Sequence, residues 1–266
     1  MFGKRLFSGI MLVLIAIITI VHGGTLLLTT VGIISIIGQF EIYRVIKLEK
    51  SCLAYIGYGM TIVLYSLLFL EINNAIEFVI IGGTMLFMAA YVITYPKYRF
   101  EQIAMVITGL IYVSVMLSYI YQVRMTDTGL IAAGLIFIAA WGSDTCAYCT
   151  GMLIGKHKMP STLSPKKTIE GCIGGMVGAA LLGYIYGIVL NEKIIGVENP
   201  IIAFSIIGGI GSVISQIGDL AASAIKRNHD IKDYGKLIPG HGGILDRFDS
   251  VIITAPIIFY MATVLM

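Results

Sequence analysis

Apolar runs of helical length recur along the whole 266-residue chain, approximately Leu6 to Val21, Thr25 to Phe40, Leu53 to Leu70, Phe78 to Tyr95, Ile103 to Tyr121, Leu130 to Ile154, Cys172 to Leu190, Ile201 to Ile225 and Val251 to Met266. Crossing a hydrocarbon core takes about 20 residues. Lipid offers the backbone no hydrogen-bond partner, so each crossing segment must satisfy its own amides and carbonyls. The expected fold class is therefore all-α, a polytopic integral membrane protein of about nine transmembrane helices. Composition agrees: 58% of residues are hydrophobic, 12% are charged and the mean hydropathy is +0.92. The charged share is half the roughly 25% usual in globular chains. Soluble enzymes, disordered chains and disulfide scaffolds are disfavoured, and Cys52, Cys146, Cys149 and Cys172 lie in apolar stretches rather than in a secreted framework.

Only His22, Gly23 and Gly24 separate the first two runs, as in a tight helical hairpin. Lys4 and Arg5 give the first run a signal-peptide look, but no small-residue cleavage site follows clearly, so it is kept as a span. With alternating sides, 16 of the 18 basic residues fall on the side of the N-terminus, leaving Arg124 and Lys193 opposite. This asymmetry predicts a cytoplasmic N-terminus and an extracytoplasmic C-terminus in the cell (inner) membrane. The basic residues concentrate in two cytoplasmic loops, around Gly155 to Gly171 and Lys226 to Ser250. A net charge of +3 gives no argument for nucleic acid. No internal repeat is visible. The chain reads as a single membrane domain with scaffold helices over 1–128 and a working half with cytoplasmic loops over 129–266.

Chemically unusual residues gather in that second half. Asp144 lies roughly 21 Å along the sixth span by helical rise, a costly place for a carboxylate unless it meets water, a cation or a partner. Asp219 sits about 27 Å along the eighth, near its cytoplasmic end. Asp246 and Asp249, three apart at the start of the last helix, share a face. Four carboxylates from three helices thus reach one depth, where Mg²⁺ would find oxygen ligands beside a phosphate. Each acid also has a plainer reading: Asp144 as a structural hydrogen bonder, Asp246 and Asp249 as ordinary helix N-terminal acids. Cys146 and Cys149, without further ligands, read as packing residues rather than a zinc site.

Ser164-Pro-Lys-Lys-Thr168 precedes the seventh helix, with Ser164 expected as N-cap and Pro165 as first helical residue. Lys166 and Lys167 there would oppose the helix dipole unless an anion sits between them and the free amides; the plainer reading is a pair of membrane anchors. Pro239-Gly-His-Gly-Gly243 offers unhindered amides to phosphate oxygens, though glycine loops also simply turn a chain and His241 is equally an interfacial histidine. Gly171, Gly174, Gly175 and Gly178 read as helix-packing residues.

Acids for a metal, bases for phosphates and a glycine loop at one interface point to phosphoryl or nucleotidyl transfer on a lipid phosphate. The strings Ser223-Ala-Ile-Lys226-Arg227, Lys232-Asp233-Tyr-Gly235, Ile238-Pro-Gly-His-Gly-Gly243 and Asp246-Arg247-Phe-Asp249 also resemble the signature of phosphatidate cytidylyltransferases, or CDP-diacylglycerol synthases. The likeness extends to Asp144-Thr-Cys-Ala-Tyr148, Gly151, Gly155-Lys156, Ser164-Pro-Lys-Lys-Thr168, Glu170-Gly171 and Ser215-Gln-Ile-Gly-Asp219, with Cys146 where another small residue is expected. It covers roughly Trp141 to Ser250; the earlier spans match only as hydrophobic helices.

The resemblance implies CTP plus phosphatidic acid giving CDP-diacylglycerol and pyrophosphate at a Mg²⁺ site facing the cytoplasm; whether a second, monovalent cation joins Mg²⁺ is left open by the sequence. On that reading Asp219 and Asp246 are the first metal ligands, and Asp144 and Asp249 further ligands or their partners. Lys226 and Arg227 belong to the catalytic set. Ser164, Lys166, Lys167, Thr168, Ser223, Lys232, Asp233, Gly242, Gly243 and Arg247 bind substrates, with His241 and its glycines receiving pyrophosphate. The expected surroundings are the lipid bilayer and a homodimer formed through small-residue helix faces, with no nucleic acid. A CTP-dependent lipid kinase and a transporter with intramembrane acids stay open as alternatives.

Overall fold

The computed structural model describes residues 2–159, 163–164, 167–191, 197, 199–238, 240 and 242–266, with side chains from residue 7 onward. Among these residues the apolar runs all lie on helices: α1 (Phe2–His22), α2 (Gly24–Val45), α3 (Cys52–Phe69), α4 (Ala75–Thr94), α5 (Phe100–Arg124), α6 (Gly129–Ile154), α7 (Ile169–Leu190), α8 (Pro200–Asn228) and α9 (Leu245–Leu265). Two of these rods widen to π-helical turns, α5 over Leu110–Val115 and α6 over Ile138–Gly142. The eight from α2 to α9 are long and apolar enough to cross a membrane; α1 adds the shorter apolar stretch Phe7–His22. No strand occurs among the described residues, only the isolated bridges Lys158–Thr168 and Ile238–Gly242. The all-α, polytopic membrane class is thereby established, with eight helices of crossing length and composition counted among the described residues.

Local chemistry sets the boundaries. Gly23 and Gly24 turn α1 into α2 with φ of 66° and 51°, a left-handed region that a Cβ disfavours. Ser51 caps α3 by accepting the Ala54 N–H at 3.2 Å, and Pro200 opens α8 at a position where its missing N–H costs nothing.

The chain divides into two compact units, Met1–Tyr121 with Ile231–Arg247, and Gln122–Asp230 with Phe248–Met266. The units interleave along the sequence. In the first, α2, α3 and α5 share a buried polar thread. Ser35 and Tyr65 hydroxyls meet at 2.7 Å, Thr61 donates to Gln39 at 2.9 Å and lies 2.8 Å from Ser114, and the Tyr43 hydroxyl donates to the Val106 carbonyl at 2.9 Å. The Tyr43 ring is admitted by Gly57, where a Cβ would stand 2.9 Å from Tyr43 Cε2. Lipid tails give apolar helices little reason to associate, and an interhelical hydrogen bond there contributes only about 0.6 kcal/mol. The thread therefore fixes helix register more than it adds stability.

The second unit is packed by subtraction. A Cβ on Gly174 would run into Thr150, and one on Gly178 would lie 2.5 Å from both Cys146 Cβ and Sγ. Gly183 lies against the Phe204 carbonyl and Gly208 against that of Ala179. These small residues bring α7 close to α6 and to α8, as small-xxx-small faces do, and the packing role expected for Gly171, Gly174, Gly175 and Gly178 holds. Between α6 and α8 the Ser143 and Ser212 hydroxyls meet at 2.6 Å, fully buried.

Candidate active site

Three helices of the second unit enclose a cavity of about 460 Å³. From α6 come Asp144, Ala147, Tyr148, Gly151 and Met152, a stripe at i, i+3, i+4, i+7 and i+8 that keeps one helix face toward the space. The entry to α7 contributes Lys167, Thr168, Gly171 and Cys172, and α8 contributes Gln216 and Asp219. Two of the four expected carboxylates, Asp144 and Asp219, therefore share one cavity with one of the expected lysines.

The lysine is held there by the fold of its loop. Met159 N–H donates to the Lys167 carbonyl at 2.9 Å and Ile169 N–H to that of His157 at 2.9 Å. His157 is fastened by Glu170, whose carboxylate accepts its backbone N–H at 3.1 Å and lies 2.6 Å from its ring Nδ1. Thr168 then caps α7, its hydroxyl accepting the Gly171 N–H at 3.1 Å. This corrects the expected start at Ser164 and Pro165: the cap is Thr168, and the Ser164 carbonyl instead accepts the Lys167 N–H at 3.1 Å. With its backbone fixed just ahead of the cap, Lys167 places Nζ 2.5 Å from Asp219 Oδ2, both side chains about a quarter exposed. Such a charge-assisted contact is strong but remains open to water. Gln216 was not foreseen; its Nε2 donates to the Cys172 carbonyl at 3.1 Å and to Ser212 at 3.3 Å, tying the wall of the cavity between α7 and α8.

Further along α8, Ser223 is half-buried one turn beyond Asp219, Lys226 is buried and Arg227 exposed. Asp249, on α9 in the same unit, accepts the N–H of its neighbour Ser250 at 2.9 Å. Lys166 and His241 lie outside the described residues.

Asp246 belongs to the first unit. It is 5% exposed, and its Oδ2 accepts backbone N–H groups from Tyr234 at 2.8 Å and Gly243 at 2.9 Å. The loop it gathers is closed by an Ile238 N–H to Gly242 carbonyl bond at 2.9 Å, with Gly240 and Gly242 at φ of 80° and 86°. Lys232, Asp233 and Arg247 flank it, exposed. A second acid that the sequence reading passed over completes this arrangement. Glu41, 3% exposed in the last turns of α2, accepts the Ile244 N–H at 3.1 Å and the Leu245 N–H at 2.9 Å. Arg44, one turn later, donates from Nη2 to the Tyr234 carbonyl at 2.5 Å. The Gly243 amide, one of those expected to be open to phosphate, is thus bonded to Asp246, and the next two, of Ile244 and Leu245, to Glu41.

The donor set can be tested against Mg²⁺. Among the described residues no three His, Cys, Asp or Glu side chains stand close enough to hold a metal. Mg²⁺ asks for less, since it commonly takes one or two carboxylates and completes its shell with water and substrate phosphate. Asp144 and Asp219 on one cavity fit that requirement; Asp246 has one oxygen already committed to two amides.

Comparison with known proteins places this geometry in a family. Residues 3–265 match the model of the cytidylyltransferase family. The chain is 30% identical over 268 residues to a phosphatidate cytidylyltransferase of Bacillus subtilis, covering 97% of this chain and 96% of that one. It is likewise 30% identical over 240 residues to the phosphatidate cytidylyltransferase of Thermotoga maritima, covering 88% of each. A third of the same name, from Synechocystis, is 40% identical over 139 residues, 52% of this chain and 45% of that one. With a match running nearly end to end over a membrane bundle that gathers two acids and a lysine on one cavity, the chain belongs to the cytidylyltransferase family.

Proposed function

We infer that this integral membrane protein is a phosphatidate cytidylyltransferase, converting CTP and phosphatidic acid to CDP-diacylglycerol and pyrophosphate. The observation that carries the reading into chemistry is the shared cavity of Asp144, Asp219 and Lys167. A phosphatidate oxygen attacks the α-phosphorus of CTP and pyrophosphate departs from the opposite side. The nucleophile is already an anion, so positioning and charge neutralisation supply the rate rather than a general base. Asp144 and Asp219 would hold Mg²⁺, which would supply charge neutralisation for the phosphates. Lys167 brings an ammonium to the same place, and its contact with Asp219 is one that a triphosphate oxygen could take over. Lys226, Arg227 and Arg247 are assigned as further cations for the two phosphate-bearing substrates, and Ser164, Thr168, Ser223, Lys232, Asp233, Gly242 and Gly243 as substrate-binding residues, on the strength of the motifs that carry them. Asp249 serves as an additional acid, and Asp246 first of all shapes the loop that carries Gly242 and Gly243.

The same proposal places the N-terminus and the catalytic loops in the cytoplasm, on the strength of the basic-residue asymmetry. It includes self-association through small-residue faces. Gly174 and Gly178 are already packed on α6, so a dimer would use other positions, and light scattering in detergent would measure it. The deciding experiment uses purified protein in detergent with phosphatidate and CTP labelled at either the α or the γ phosphate. Label from the α position should enter lipid with release of pyrophosphate. Transfer of γ label to lipid would make the protein a CTP-dependent lipid kinase, and no transfer of either would leave the transporter reading.

A further inference from the structure

Glu41 stands apart from the residues already given a role. It is an acid 3% exposed near the end of a membrane helix, and both of its carboxylate oxygens are spent on backbone amides more than 200 positions away. Those amides belong to Ile244 and Leu245, where the glycine loop passes into α9. Gly235 and Gly243 pack against the same carboxylate, and a side chain at either position would force it to move. Arg44, one turn along α2, holds the other end of the loop at the Tyr234 carbonyl, and Asp246 ties Tyr234 to Gly243 from within. One helix turn of α2 therefore grips both ends of the segment 234–245. A buried carboxylate is costly unless hydrogen-bonded, and bonds to it inside a low-dielectric interior hold their partners more strongly than bonds to a neutral group would.

We propose that Glu41, seconded by Arg44, is a positioning residue for the cytidylyl transfer, fixing Tyr234 and the stretch Gly243–Leu245 from α2 without touching either substrate. The proposal rests on the cytidylyltransferase reading above. A Glu41→Gln side chain keeps one acceptor but turns an NH₂ toward one of the two amides, donor against donor, so that end of the loop is released.

The test pairs amide hydrogen exchange with steady-state kinetics on the full-length protein in detergent. Glu41→Gln should speed exchange at the Gly243, Ile244 and Leu245 amides and lower kcat at least about tenfold in protein that still elutes as folded. Ser35→Ala is the control: it removes an equally buried hydrogen bond, to Tyr65, in the same unit but away from the loop. It should lower the melting temperature to a similar degree and leave kcat unchanged. Should Glu41→Gln not accumulate as folded protein, the exposed Arg44 carries the test, with Arg44→Ala expected to speed exchange near Tyr234 and lower kcat several-fold, and Arg44→Lys to restore part of it. Unchanged kcat in the folded Glu41 variant, or in Arg44→Ala where that variant carries the test, would overturn the proposal. So would a kcat loss without faster loop exchange, or an equal kcat loss in Ser35→Ala. If wild-type protein releases no pyrophosphate from CTP, the enzymatic reading has failed instead, and the exchange data still decide whether Glu41 holds the loop.

Discussion

Asp219 and Glu41 are both carboxylates on membrane-length helices, yet they are satisfied in opposite ways. Asp219 is met by the end of a lysine side chain in a cavity, a quarter exposed. Glu41 is met by backbone amides and shut away from solvent. A side-chain partner can swing off and leave the acid to a ligand, whereas an amide partner leaves only if the chain refolds. An acid in a membrane helix is by default suspected of function; the kind of partner it has says whether that function is exchange with a ligand or support of the fold.

Three substitutions probe this contrast. The largest effect on turnover is expected for Asp219→Asn, which keeps the shape but removes the charge facing the cavity. CDP-diacylglycerol formation should drop about a hundredfold or more while the melting temperature moves little. A folded variant with near-wild-type turnover would remove Asp219 from the site. Lys167→Ala comes next. Loss of a charge-assisted contact of about 1.5–3 kcal/mol corresponds to about 13- to 160-fold in rate, measured as kcat/KM for CTP, and protease accessibility of the loops should be unchanged because the other basic residues still set orientation. If instead the variant inserts with mixed orientation and its correctly oriented fraction is fully active, Lys167 is an anchor. The smallest turnover effect is expected for Asp246→Asn, where the balance reverses. Its carbonyl oxygen can still accept the Tyr234 and Gly243 N–H groups, but without the charge that strengthens both bonds, and stability should fall by about 1–2 kcal/mol, visible as a lower melting temperature, with activity falling less than in Asp219→Asn. Should Asp246→Asn melt like wild type and lose more activity than Asp219→Asn, the division between exchanging and supporting acids would be wrong for this protein.

Parts of this arrangement could be read directly from residues. The apolar runs specified the helices because lipid allows a crossing segment few other solutions, and Asp144 and Asp219 stood out because each interrupts such a run. Glu41 did not. It follows the second run by one residue and is followed by Arg44, so it looks like an ordinary interfacial acid, and its partners are amides, which leave no mark in side-chain composition. The start of α7 was misplaced for a related reason. Ser164-Pro165 mimics a cap followed by proline, but the helix begins where a hydroxyl reaches an amide three residues on, at Thr168 and Gly171. Nor could composition foretell that 231–247 groups with the first 121 residues, since that grouping depends on contacts between distant segments.

The span between Glu41 and its amide partners, 203 and 204 residues, also has a meaning in time. A ribosome adding about 5–20 residues per second reaches Leu245 roughly 10 to 40 s after it has passed Glu41. Throughout that interval α2 carries a carboxylate whose eventual partners have not been made, and its place in the last turns of the helix, beside the exposed Arg44, keeps it within reach of headgroup water. The segment 122–230 is synthesised whole in the meantime. The first unit is thus begun first and closed late, and a nascent chain halted before residue 244 would hold an acid left to headgroup water in place of its amide partners.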